Sequence, residues 1–209
     1  LAELRAIAHG AQVFKTVGCD ACHVPSMAID DTIYSEPSQH PNYRDAVFPA
    51  GQDPLTLGVD PLHPVQFDLT RDHPDNQVKD RYGRVLFRLG SFERRHDGRG
   101  IVRLFGDLKR HDMGPGLAES VDEAGTGAAV FLTENLWGVG STAPYLHDGR
   151  ATTLAEAILA HGGEAEPAQV AFRGLETQDR SDLIAYLDNH VLFVIEVDEP
   201  THRHHHHRR

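Results

Sequence analysis

The chain has 209 residues, with 31 acidic and 20 basic side chains and a formal net charge of −11. This charge argues against nucleic acid as a partner, and no apolar run approaches the ~18 residues that a membrane-spanning helix needs, so we expect a soluble protein. The length fits one domain enlarged by an insertion, or one domain cut from something larger.

The first predicted element is an amphipathic helix over residues 1–16. Its apolar residues Leu4, Ile7, Ala11 and Phe14 recur at helical spacing. The helix is expected to end near Gly18, just before the most informative motif of the chain.

That motif is the run Cys19-Asp20-Ala21-Cys22-His23, which has the pattern C-x-x-C-H. The pattern is the attachment signature of a c-type haem, in which the two thiols bond the porphyrin vinyl groups and the histidine ligates the iron. We therefore predict one covalent haem c held by Cys19, Cys22 and His23.

Other sites also use C-x-x-C. A zinc site would have to take its remaining ligands from the 15 histidines of the chain, because it has no other cysteine. A thioredoxin-like site should follow a β-strand, whereas a helix is predicted here, and a structural disulfide is a further alternative. Haem is the favoured interpretation, with zinc and thiol redox chemistry as its competitors.

The context of the motif bears on location. The chain has neither an initial methionine nor a visible signal peptide, which fits a mature or truncated product. Because c-type haem is attached on the outer face of the bacterial inner membrane, we expect a periplasmic protein.

The middle of the chain is predicted to be irregular. Residues 24–75 are rich in proline and aspartate without sustained periodicity, and only residues 84–87 and 101–105 contain short β-like runs. Residues 71–110 hold 11 of the 20 basic side chains. This segment could dock a redox partner, pair with haem propionates, or be a solvated polar stretch.

Helical signals return near the C-terminus. A capping box, Thr153 with Glu156, predicts a helix that runs to Gly162, and a second box at Thr177–Arg180 predicts the last helix. We therefore predict a mostly α, cytochrome c-like domain over residues 1–200. It would carry a long irregular insertion, about residues 30–135, with short β segments, and a disordered His/Arg-rich tail over residues 201–209.

In a cytochrome c domain the first and last helices cross beside the haem. Gly10 and Phe14, one turn apart, resemble the glycine and aromatic pair of the first helix, and Leu183 with Tyr186 resembles their partners in the last. A glycine inside a helix lowers stability by about 1 kcal/mol relative to alanine. A close approach of the two helix backbones at the crossing would explain why position 10 is a glycine.

A known family is recognisable in residues 135–158, which contain T-A-P-Y-L-H-D-G followed by T-L-A-E-A. The segment resembles the bacterial di-haem cytochrome c peroxidase superfamily. Residues 107–117 and 160–165 are similar to its di-haem oxidoreductase, or thiol-oxidoreductase-like, branch. The resemblance extends from Gly10 to about Val191 and implies that family's C-terminal haem domain.

The chain departs from the superfamily in one respect, since it has one C-x-x-C-H motif where members have two. The resemblance therefore implies either a second haem domain outside this sequence or a one-haem relative. The two-haem peroxidase mechanism does not transfer intact.

The resemblance also implies a candidate for the second iron ligand. In the peroxidases the ninth residue from the threonine of the T-L-E-E-A element is the distal methionine, and counting from Thr153 reaches His161. Met113, in a Met-Gly-Pro-Gly run, is the alternative, because Met27 lies too near the attachment turn. Two histidine ligands would give a lower potential than a Met/His pair.

Three further residue sets are candidates for the site. His147 with Asp148 could move protons or gate electron transfer at the haem edge, or could be structural at the Gly149 turn. Trp137 and Tyr145 could pack beside the porphyrin, although an aromatic residue there could equally be core.

The expected function is electron transfer, as the haem module of a di-haem oxidoreductase. The alternatives are a peroxidase-type oxidoreductase with a labile distal site and a zinc-binding structural module. The partner would be a redox protein or a second haem domain, and the sequence identifies no small-molecule substrate.

Overall fold

The computed structural model describes residues 1–42, 55, 58, 60, 62–122 and 125–191. The predicted tail, residues 201–209, lies outside them. The described chain divides into two compact units, the first made of Leu1–Val24 with the chain from Phe105 onward, and the second of Pro25–Leu104. The predicted insertion of about residues 30–135 therefore overlaps the second unit, while residues 105–135 lie in the first.

The first unit contains the helices. They are α1 (Ala2–Val17), α2 (Leu154–Ala160), α3 (Glu166–Arg173) and α4 (Thr177–Asp188), with short 3₁₀ turns at Cys19–Ala21, Val139–Ser141 and Gly163–Ala165. Two short strands, β8 (Arg110–Asp112) and β9 (Val130–Leu132), pair antiparallel in the same unit, with His111 opposite Phe131.

Helix α1 confirms the first predicted element. It ends at Gly18, whose φ of 92° is a left-handed conformation that glycine adopts without steric cost. The amide of Gly18 donates to the carbonyls of Lys15 and Phe14, so the last turn of the helix is closed immediately before the cysteine motif.

The two predicted capping boxes have different outcomes. The first is confirmed, because the Thr153 hydroxyl accepts from the Glu156 amide and the Glu156 carboxylate accepts from the Thr153 amide. The second is wrong, because Thr177 is already the first helical residue of α4, and the N-cap, Glu176, makes no capping side-chain bond. Helix α3 was not predicted, since it is short and only Phe172 of it is buried.

Helices α1 and α4 pack against each other, as the glycine at position 10 predicts. A Cβ on Gly10 would overlap the Asp182 carbonyl oxygen and lie 2.8 Å from the Tyr186 Cβ, so only glycine permits this approach. The rings of Phe14 and Tyr186 meet edge to face, with centroids 5.5 Å apart. The buried core around this contact comprises Val13, Phe14, Val17, Leu154, Phe172, Leu183 and Leu187.

The second unit is built from short antiparallel strands. They are β1 (Met27–Ile29), β2 (Ile33–Glu36), β3 (Val65–Asp68), β4 (Gln77–Lys79), β5 (Val85–Arg88), β6 (Glu93–Arg94) and β7 (Gly100–Val102). Strand β7 lies between β1 and β6, β2 pairs with β3, and β4 pairs with β5. Within its described residues only Gly100 is buried, so strand hydrogen bonds rather than an apolar core hold this unit.

The predicted fold class was therefore wrong. Of the described residues 31% are helical and 18% are in strands, with four helices and several small sheets, which is not a mostly α cytochrome c fold. Strands of two to four residues are too short to show alternation in the sequence. Pairings such as Ile29 with Gly100 join segments that are far apart in the chain, which local patterns do not reveal.

The basic segment also has a local explanation. Seven of its nine arginines lie within 4 Å of carboxylates of the same unit, for example Arg84 Nε at 2.6 Å from Asp80 and Arg103 Nη2 at 2.8 Å from Glu93. These pairs are exposed on the arginine side, where ion pairs add little stability. Among the described helices none is long and apolar enough to cross a membrane.

Candidate functional site

The cysteine motif lies directly after α1. Cys19 and Cys22 are free, partly buried thiols on and beside the Cys19–Ala21 turn, and the His23 amide donates to the Cys19 carbonyl at 2.9 Å. Burial, then the charge of Asp20, raises the pKa of Cys19 to about 11. Burial, then the charges of Asp107 and Glu164, raises the pKa of Cys22. Both groups are therefore thiols rather than thiolates at neutral pH.

The His23 imidazole is oriented by a main-chain carbonyl. Its Nδ1 atom lies 3.1 Å from the Phe105 carbonyl oxygen, so Nδ1 carries the proton and donates. Burial lowers the pKa of His23 and favours the neutral ring. The remaining nitrogen, Nε2, has the lone pair that a metal ligand needs.

The His161 imidazole, at the end of α2, is held in the same way by a main-chain carbonyl. His161 is the C-cap residue of α2, and its Nδ1 atom lies 2.7 Å from the Ala157 carbonyl oxygen, one helical turn earlier. Burial lowers the pKa of this imidazole as well. Histidines that ligate a metal through Nε2 usually donate Nδ1–H to a carbonyl or carboxylate oxygen, which fixes the ring.

The two rings lie close to each other. The centroids of His23 and His161 are 6.5 Å apart, with an angle of 55° between the ring planes. Two imidazoles that bind one metal ion from opposite sides through bonds of ~2 Å have centroids roughly 6 Å apart. The centroid separation is therefore compatible with a haem iron that His23 and His161 would hold.

Met113 lies on a loop beside the His161 segment. It follows β8, its amide donates to the Ala129 carbonyl at 2.8 Å, and a Cβ on Gly162 would lie 3.0 Å from its carbonyl oxygen. The structure thus places both distal-ligand candidates on adjacent segments. The imidazole of His161 has the hydrogen bond described above and lies near His23, and which of the two residues is the ligand stays a prediction.

The two aromatic candidates have different surroundings. Tyr145 packs against the core and donates its hydroxyl to the Val139 carbonyl at 2.9 Å, and burial raises its pKa. Trp137 is 45% exposed, with its amide bonded to the Asn135 side chain. Tyr145 thus has a structural role in this chain, while contact of either residue with a porphyrin stays a prediction.

His147 and Asp148 do not form the hydrogen-bonded pair that the sequence suggests. The His147 ring stacks on Phe131, with centroids 4.6 Å apart. Asp148 accepts from Arg150 Nε at 2.5 Å, and Arg150 also donates to the Gly116 carbonyl. Burial raises the pKa of Asp148, but the bonds from Arg150 outweigh it and the net pKa is lowered. A catalytic role for this pair stays a prediction.

One cluster was not singled out as a site from the sequence. His111 contacts two carboxylates, through Nε2 to Asp107 at 2.9 Å and through Nδ1 to Glu164 at 2.8 Å. The bonds from Glu164 and then Asp107 raise the pKa of His111. Burial raises the pKa of Asp107, but hydrogen bonds from Lys109 and His111 lower it to about 2. These residues lie in the segments that carry the family resemblance, but their spacing alone does not show that they meet.

The same cluster bears on the zinc alternative. Ligand atoms of Cys22, Asp107 and His111 lie within 4.8 Å of one another, the arrangement that a metal ion could use. Both nitrogens of His111 already face carboxylate oxygens, however, and Cys19 is not part of the group. The group therefore offers three donors, one fewer than a structural zinc site needs, and a metal ion would have to displace the hydrogen bond between His111 and Asp107.

Comparison with known proteins agrees with the sequence resemblance. Residues 95–190 match the model of a family described as "Di-haem oxidoreductase, putative peroxidase". The matched range contains His111 and His161 and begins after the C-x-x-C-H motif. The match supports the family and implies haem as cofactor, while the position in a C-terminal haem domain and the branch stay predictions. No curated protein and no solved structure matches the chain.

Proposed function

We propose that this chain is an electron-transfer haem module with one covalent haem c whose iron is ligated by His23 and His161. The observation that carries the proposal is the 6.5 Å separation of the two imidazole centroids, with each Nδ1 atom bonded to a main-chain carbonyl. A six-coordinate iron with two strong ligands suits electron transfer rather than substrate binding.

The chain supplies attachment and orientation. Each thiol, of Cys19 and of Cys22, adds across one vinyl group, so that a carbon–sulfur bond forms and the thiol hydrogen passes to the neighbouring carbon. The raised pKa values of both cysteines keep them as thiols before this addition. When bound, haem supplies one-electron redox chemistry, and the protein sets its potential through the axial ligands and the surrounding charge.

The second candidate is a peroxidase-type oxidoreductase. The family description favours it, and peroxide needs an iron position that is open or that opens. His161 lies at the end of the seven-residue helix α2 rather than in the middle of a rigid element. Release of its imidazole would create such a position.

The proposal extends to location and partners. We place the protein in the periplasm, where c-type haem is attached, and expect its electron partner to be a redox protein or a second haem domain. No small-molecule substrate is assigned.

The test begins with protein matured by a cytochrome c attachment system and extracted under denaturing conditions. Haem should remain with the wild-type chain and should be lost from the variant C19A/C22A. Visible spectra of the ferric and reduced protein are then recorded, with and without carbon monoxide. A matched control, M113L, removes the rival ligand without touching His161.

The electron-transfer proposal is supported if wild type and M113L are low-spin and bind little carbon monoxide at a concentration that saturates H161A, and if H161A is high-spin before carbon monoxide is added. A wild-type spectrum that is high-spin and binds carbon monoxide readily would favour the peroxidase candidate. If the matured chain shows no haem bands, both proposals fail and the zinc alternative is tested by metal analysis.

A further inference from the structure

We propose that His111 is a positioning residue that, through Asp107 and Glu164, fastens the segment carrying His161 to the segment that orients His23. The inference rests on the proposed function, because it concerns how the second iron ligand is held. It assigns a role to a three-residue cluster that neither the cysteine motif nor the axial ligands explain.

We call the contacts Asp107–His111–Glu164 the bridge. Its first contact, between His111 and Asp107, leads to the segment that orients His23. Asp107 accepts from His111 Nε2 at 2.9 Å, and its side chain is only 7% exposed. Two residues earlier, the Phe105 carbonyl accepts from His23 Nδ1. A displacement of Asp107 would therefore be transmitted through one short stretch of backbone to the carbonyl that fixes the His23 ring.

The second half reaches the His161 side. Glu164 uses both carboxylate oxygens, Oε2 toward His111 Nδ1 at 2.8 Å and Oε1 as acceptor for the Asp112 amide at 3.0 Å. It lies in the 3₁₀ turn that follows His161. The bridge thus ends three residues after the distal-ligand candidate.

Close backbone packing makes this junction specific. A Cβ on Gly163 would overlap the Asp112 carbonyl and lie 2.6 Å from the Gly114 amide nitrogen, and a Cβ on Gly114 would lie 2.8 Å from the Gly163 nitrogen. The two backbones therefore touch, and the Glu164 carboxylate closes the contact. Loss of that carboxylate would leave the turn after His161 held by packing alone.

The bridge also carries charge. Both nitrogens of His111 face carboxylate oxygens, so the cluster holds two carboxylates and at most one positive charge. Asp107 and His111 lie beside Cys22, one of the two proposed haem attachment residues, so the Asp107 carboxylate would be close to the haem. Negative charge near an iron favours its oxidised state, so removing one carboxylate should raise the potential.

The test uses the matured holoprotein and the variants E164Q, H111Q and E164Q/H111Q. The control is E166Q, which removes an exposed glutamate charge two residues further along the chain, at the first position of α3. The readouts are the equilibrium constant for carbon monoxide binding to the reduced protein and the midpoint potential. Denaturing extraction checks attachment, and circular dichroism checks the fold.

We expect E164Q to raise the carbon monoxide association constant roughly three- to tenfold, the effect of one partly screened charge-assisted bond. We expect it also to shift the midpoint potential upward. H111Q should weaken the hold on His161 similarly. Because the two residues act through one bond, the double variant should exceed the larger single effect only slightly. E166Q should leave both readouts near wild type.

If E164Q and H111Q bind carbon monoxide no better than E166Q, the inference is overturned and backbone packing alone positions the segment. If H111Q fails to fold, E164Q decides alone, because its side chain is more than half exposed. If H161A leaves the spectrum of the wild type unchanged, His161 is no ligand. That result removes the proposed function together with the inference, and it differs from a failure confined to the bridge.

Discussion

The Nδ1 atom of His9 on α1 lies 2.8 Å from the Oδ2 atom of Asp182 on α4, and the Asp182 side chain is only 9% exposed. Asp182 also accepts from Gln178 at 2.7 Å. The contact lies beside Gly10, where the two helices approach most closely. A polar pair thus fixes the register of the same helix contact that the apolar core stabilises.

This pair predicts a pH dependence. The bonds from His9 and then Gln178 lower the pKa of Asp182, so its contribution to stability is present above the unfolded pKa, near 4, and is lost as the pH falls through the lower folded value. D182N should therefore be less stable than wild type at pH 6, and the difference should shrink below pH ~4. Urea unfolding at pH 6, 4 and 3 measures this.

The control is D179N, which removes a charge from the same helix at a more exposed position, 3.8 Å from His9. It should lower stability less than D182N does at pH 6. Equal losses in D179N and D182N would contradict the specific role of the His9 contact.

Substitution of Gly10 tests the helix crossing directly. In G10A the new Cβ overlaps the Asp182 carbonyl, so α1 and α4 must separate, and we expect a loss of about 3 kcal/mol in the free energy of unfolding. G116A is the matched control, because a Cβ at Gly116 meets nothing within 4 Å. The measurement is denaturant unfolding of both holoproteins, and comparable stabilities would show that the helices can shift at little cost.

The two predicted capping boxes make a contrasting pair. T153A removes the side chain that caps α2 and should cost about 1 kcal/mol. T177A changes the corresponding threonine of α4, which makes no cap, and should cost less than ~0.5 kcal/mol. Thermal unfolding of the two variants side by side checks the difference, and a larger loss in T177A would reverse the assignment.

The proposed ligation of the iron by His161 predicts a dependence of the redox potential on this residue. H161M replaces an imidazole by a thioether, which raises the potential of His-ligated haem, so we expect a higher midpoint potential than in wild type. M113L should leave the potential unchanged if His161 is the ligand. Redox titration followed at the visible bands measures both, and a shift in M113L with none in H161M would assign the iron to Met113.

Much of the site could be found from local sequence. The cysteine motif, the ends of α1 and the Thr153 cap depend on residues within a few positions of one another, and short-range geometry dictates them. The second capping box failed because its fourth residue, Arg180, has no side-chain oxygen that could accept from the N-cap amide, and because the helix begins one residue earlier than predicted. Deciding between the two start positions requires the backbone angles of Glu176, which the pattern does not contain.

The second unit shows the opposite case. Its strands are two to four residues long and pair across large separations, as between Ile33 and Asp68. Each strand is too short to have a preference of its own, and its conformation follows from the partner strand. A sequence rich in proline and aspartate therefore looked irregular although it forms sheets.

The sequence by itself determined the C-x-x-C-H motif, the terminal helix α1, the need for glycine at position 10 and, through a family resemblance, the candidate His161. Only the tertiary structure decided that the His23 and His161 rings lie 6.5 Å apart, that Phe105 fixes His23 from 82 positions away, and that His111 joins two carboxylates. The physical reason is that helix caps and helical periodicity arise from neighbouring residues. The other contacts form only when segments distant in the chain come together, which costs conformational entropy and depends on the whole fold.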